Sequence, residues 1–151
     1  MMPNLDQASD SLAPTARLLG YGGLLPFVAL VGVTFTGSPD WVERLLLGYG
    51  VVILAFLAGS MWLRQLLAER AHPRLLIASN ALALIAWPAI IMPLHWGALW
   101  LAMSFGAHLL LDQPWQAHGL PGWYRRLRLI LSSLVIGLLT LTWLIETGRA
   151  L

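Results

Sequence analysis

Five long apolar runs, separated by short polar segments, fill most of this 151-residue chain. The clearest is Leu45 to Leu67, LLLGYGVVILAFLAGSMWLRQLL, in which no side chain from Leu45 to Leu63 is ionisable except Tyr49. At about 1.5 Å of rise per residue such a run reaches across a hydrocarbon core of roughly 30 Å. The pattern predicts helices over 18–35, 45–66, 75–92, 96–111 and 127–145. Residues 1–17 read as a flexible N-terminal tail, 18–146 as a single five-helix transmembrane domain and 147–151 as a C-terminal tail. The fold class expected is an all-α membrane bundle.

Breakers locate the joints. Pro26 falls inside the first run and predicts a kink near Gly22 and Gly23. TGSPDW (36–41) is a turn signal, the segment from Arg64 to Arg74 is a charged loop around Pro73, and Pro93 to His95 leaves room for a tight hairpin. DQPWQAHGLPGWYRR (112–126) reads as an ordered interfacial segment, because Trp115, Trp123 and Tyr124 suit the headgroup region. Trp41, Trp62, Trp96 and Trp143 also lie near helix ends, giving a Trp-rich interface, whereas Trp87 and Trp100 belong within the bundle or against lipid. LLGYG opens both of the first two runs (18–22 and 46–50), but five residues of Leu, Gly and Tyr in a Leu-rich chain read as coincidence or shared packing need rather than an inverted repeat.

Composition agrees with the pattern: 58% of residues are hydrophobic and 11% charged, against about 25% charged in a soluble domain. The chain has no cysteine, which removes disulfides, thiolate metal sites and thiol catalysis. All nine basic residues are Arg, and a net charge of +2 gives no ground for nucleic-acid binding. Their placement carries more. With the N-terminus inside, Arg17, Arg64, Arg70, Arg74, Arg125, Arg126 and Arg128 collect on the cytoplasmic face, and Arg44 and Arg149 remain outside. That bias over short loops predicts N-in, C-out. With no A-x-A-like site after the first run, helix 1 is expected to serve as an uncleaved anchor.

Few polar groups fall inside the runs. Ser104, His108 and Asp112 are spaced by four and share one helix face. They cannot act as a hydrolase triad, since Ser104 and Asp112 are about 12 Å apart in rise. A His108–Asp112 hydrogen bond is what the spacing allows. Depth bookkeeping puts Arg64, Asn80, His108, Asp112, Arg128 and Ser132 in the cytoplasmic half, with Asp112 expected to pair with Arg128 or Arg64. The plain reading of Arg64, Asn80, Ser104, His108, Asp112 and Arg128 is a polar layer that locks helix ends together; the sharper one is a proton or ion vestibule with His108 and Asp112 as relay. No metal motif, phosphate-binding loop or second intramembrane His for a haem is present, so no cofactor and no catalytic residue is assigned.

LGYGGLLPF (19–27), YGVVILAFLAGSMW (49–62), LLLD (109–112) and WYRRLRLIL (123–131) resemble the domain of unknown function 3429 family, whose eukaryotic members are mitochondrial and called transmembrane protein 69. Tyr49-Gly50, Ile53, Phe56, Gly59 and Trp62 match its most typical run, and Trp123-Tyr124 with Arg128 its last-loop signature. Ala58 and Leu63 stand where the family usually has Gly, which bulks up that helix surface. The resemblance implies a bacterial inner-membrane protein of about five helices and implies no activity.

Three functions compete. An interaction or assembly protein, binding a larger membrane complex or itself, is favoured by short loops and by the small-residue faces Ala55/Gly59, Ala98/Ala102/Gly106 and Ser133/Gly137. A small oligomeric transporter or channel would use the His108/Asp112 face. An enzyme acting on a lipid or quinone has no nucleophile–base pair or metal motif behind it. Beyond the lipid bilayer, the expected partner is a membrane protein or a second copy.

Overall fold

The computed structural model describes residues 5–37, 39–68, 72–112 and 121–150, with side chains from residue 11 to residue 149 within those stretches. It contains α1 (Leu5–Thr34), α2 (Asp40–Leu67), α3 (Pro73–Ala86), a 3-10 turn (Trp87–Ile91), α4 (Leu94–Asp112) and α5 (Gly122–Ala150). All five helical segments, counting α3 with its 3-10 turn, are long and apolar enough to cross a membrane. Helix 1 corrects the sequence reading at its start: residues 5–17, read as tail, continue the helix, with Pro14 and Pro26 both inside it. Likewise α5 runs to Ala150, through most of the expected C-terminal tail. Trp115, His118, Glu69 and Arg70 lie outside the described residues.

The helices alternate in direction. Arg149 at the end of α5 donates to the carbonyls of Thr34 (3.0 Å) and Phe35 (2.6 Å) at the end of α1. It thereby caps carbonyls that a helix C-terminus leaves without partners. At the opposite end, side chains from the end of α2, the end of α4 and the start of α5 meet. α2 and α4 form the middle of the bundle, α1 leans on α2 and α5, and α3 packs on α2 and α4.

Leu46, Leu47, Leu54, Ala98, Leu101, Phe105 and Leu139 are the centre of the core. Gly97 permits a close approach to backbone: a Cβ there would meet Leu47 at 2.8 Å and the Ala89 carbonyl at 3.0 Å. Side chains from neighbouring helices bond backbone carbonyls close to two of the prolines. One residue from Gly22, whose carbonyl Pro26 deprives of its donor, the Tyr49 hydroxyl donates to the Gly23 carbonyl at 2.7 Å. Where Pro88 tightens the end of α3 into the 3-10 turn, the Trp100 indole donates to the Ile85 carbonyl at 2.6 Å. Buried Thr34, Ser79, Ser104 and Thr142 donate to carbonyls three or four residues back, so their hydroxyls need no partner on another helix.

Candidate functional site

The polar groups gather where α2 and α4 end and α5 begins. Asp112 is the last residue of α4, and its side chain is 2% exposed. One carboxylate oxygen accepts from Arg128 Nη2 at 2.8 Å, and the other pairs with Arg64. Arg128 also donates through Nη1 to the Ser60 hydroxyl at 3.1 Å, and Ser60 in turn donates to the Leu57 carbonyl at 2.7 Å. The Arg128 guanidinium stands 5.8 Å from the Tyr124 ring centroid, within cation–π range. A single carboxylate thus ties together three helices.

Among the described residues, two guanidinium groups face one carboxylate. A buried ion needs pairing and hydrogen bonds to persist away from water. Arg128 has both, while Arg64, with its side chain 25% exposed, reaches towards the surface.

His108 lies one turn before Asp112 and is 1% exposed. The expected His108–Asp112 hydrogen bond does not form: among the described residues neither imidazole nitrogen reaches full hydrogen-bond geometry, and the ring's nearest polar neighbour is the backbone of Leu57. Asp112 turns towards the arginines, whose guanidinium donors make strong charge-assisted bonds to a carboxylate.

Of the six residues expected in a polar layer, Arg64, Asp112 and Arg128 are joined directly and His108 adjoins them. The other two correct the reading. Ser104 is buried but donates to the Trp100 carbonyl on its own helix at 2.8 Å. Asn80 is exposed and donates to the Leu76 carbonyl, also on its own helix, at 3.3 Å. Ser132 is buried and lines a cavity beside Arg128. Ser60 and Tyr124 complete the cluster, although the sequence marks Tyr124 as an interface anchor. The spacing of Tyr124 and Arg128 by one helical turn was the available signal.

As for metals, no three His, Asp or Glu side chains group together among the described residues. The carboxylate that could contribute is committed to arginine.

Asn80 instead lines a groove of about 340 Å³ between α2 and α3, together with Ala55, Ala58, Gly59, Ser79 and Ala83. Ala55 and Gly59 are exposed there, as are Ser133 and Gly137 on α5, whereas Ala98 and Ala102 are spent inside the bundle.

No curated protein and no solved structure matches the chain. Five membrane-capable helices point to a multi-pass membrane protein. The family model described as protein of unknown function (DUF3429) matches residues 12–144, which covers every helix from the second turn of α1 to the end of the apolar part of α5, and the chain belongs to that family.

Proposed function

We propose that this is a non-catalytic interaction or assembly protein of the bacterial inner membrane, with its N-terminus in the cytoplasm and its α2–α3 groove receiving a helix of a membrane partner. The observation that carries the reading is Asn80. It presents an exposed carboxamide in an apolar span, and its side chain's only hydrogen bond among the described residues is to its own helix. Around it Ala55, Gly59 and Ala83 leave room for a partner's backbone. Small residues and amide side chains are what hold helices together in lipid, where water supplies no hydrophobic drive. A Cβ at Gly59 would meet nothing within 4 Å, so that glycine is not needed for the bundle's own packing. The polar cluster then serves the fold, because Asp112, held by two arginines, fastens the helix ends on which the groove is built. Those direct pairings also speak against a relay through Asp112.

The test uses photo-cross-linking side chains introduced in intact membranes at Asn80 and Ala83, with Leu110 and Leu144 as outward-facing controls. A discrete adduct from the groove positions, absent from the controls and lost on Gly59→Leu, is expected. Equal labelling at all four positions would overturn the reading.

A further inference from the structure

Two cavities adjoin on the side of the bundle where α1 leans on α5, sharing Leu127. One, of about 390 Å³, lies between α1, α2 and α5, with walls such as Leu24, Phe27, Ile53 and Leu131 and with Tyr124, Arg128 and Ser132 as its polar members. That volume falls within the roughly 300–1,000 Å³ of small-molecule sites, which are apolar with a few placed polar groups. The other, of about 760 Å³, is lined by Arg17 from α1 and by Trp123, Arg125 and Arg126 from the start of α5. Among the described residues, no acidic side chain lines either one.

Depth identifies the occupant. The lining of the narrower cavity runs from Ala16 to Phe27 on α1 and from Tyr124 to Val135 on α5. The eleven helical steps across each stretch rise about 16 Å, close to half of a hydrocarbon core of roughly 30 Å. The cavity is therefore one leaflet deep. Its arginine-rich neighbour lies at the α5 start, where Trp123 and Tyr124 suit the headgroup level. Among the described residues the charged side chains lining the two cavities are all arginines: Arg17, Arg125 and Arg126 line the mouth, and Arg128, paired with Asp112, lines the apolar cavity. A mouth of that size is larger than a carboxylate needs and fits a phosphodiester headgroup.

We infer that this cleft binds one anionic phospholipid of the adjoining leaflet, with its phosphate against Arg17 and Arg126 and one acyl chain in the cavity between α1, α2 and α5. The inference needs the helices to span a bilayer but does not depend on the α2–α3 groove.

The test takes the full chain in mild detergent micelles doped with equal amounts of phosphatidylglycerol and phosphatidylcholine, and counts lipid retained after washing by mass spectrometry. The wild type is expected to retain a single phosphatidylglycerol in preference to phosphatidylcholine, undisplaced by millimolar inorganic phosphate. Arg17→Gln with Arg126→Gln should weaken that preference by about fivefold per arginine, equivalent to roughly 1 kcal/mol each. Ile53→Trp, at a half-buried position in the cavity wall, should lose lipid of both kinds. Equal retention of the two lipids, displacement by phosphate alone, or an arginine variant that binds like wild type would each overturn the inference. Should Ile53→Trp lose its helical circular dichroism, the arginine pair decides alone, since both side chains are exposed and outside the core.

Discussion

Asp112 and Arg128 meet at 2.8 Å across the α4–α5 interface, with their side chains 2% and 9% exposed. This contact joins residues sixteen positions apart in sequence and holds the start of α5 against the end of α4. Removing one partner of a buried ion pair strands the other charge, at a cost of about 3–5 kcal/mol. Asp112→Asn strands two guanidiniums and should lower stability in detergent by that amount, measured by reversible denaturant unfolding. Arg64→Gln leaves the Asp112–Arg128 pair neutral and removes a partly exposed partner, so its cost should stay within about 1 kcal/mol. Equal losses for the two variants would contradict this division of labour.

His108 offers the opposite case. A buried polar group without a hydrogen bond costs about 1–3 kcal/mol, and an apolar group of similar shape removes that penalty. His108→Phe should therefore be neutral or stabilising in the same unfolding measurement. A loss above about 2 kcal/mol would mean that the imidazole holds a partner in the folded protein.

Gly97 and Gly59 should behave in contrast. A Cβ at Gly97 would stand 3.0 Å from the Ala89 carbonyl, which belongs to backbone and cannot swing aside. Gly97→Ala should cost about 1–3 kcal/mol by overpacking. Gly59→Ala has open space and should leave the melting temperature unchanged.

How much of this was legible in the sequence depends on what kind of force places each residue. The apolar runs located α2 through α5, because in lipid every backbone group must bond within its own helix. They did not locate the starts: α2 begins at Asp40 and α5 at Gly122, each five residues before the predicted bound. The start of α1 was hidden, since Asp6, Asp10 and Pro14 read as tail residues, although Pro14 lies within the helix. Depth alone brought Arg64, His108, Asp112 and Arg128 to one level, because charge is costly away from an interface. Asn80 and Ser104 passed the same filter and failed the structure, since depth says nothing about which way a helix face turns. The Arg149 cap on Thr34 and Phe35 was invisible for another reason: residues 114 and 115 positions apart meet only through the packing of α1 on α5.

The alternation of helix directions leads to the last prediction, which the absence of cysteine makes clean. Thr36 lies in the α1–α2 turn and is exposed, and His72 immediately precedes α3 and is exposed too. Only α2, 28 residues long, separates the two positions as helix, and it rises about 42 Å, more than the roughly 30 Å hydrocarbon core. Thr36→Cys and His72→Cys must then face opposite compartments. With the arginine-rich end inside, a membrane-impermeant maleimide added to intact spheroplasts should label Cys at 36 and spare Cys at 72, with the order reversed in inverted vesicles. Labelling of both from one side would show that α2 does not cross. Labelling of 72 alone from outside would keep the crossing but turn the bundle over, placing the Asp112 cluster and the Arg17–Arg126 mouth in the outer leaflet.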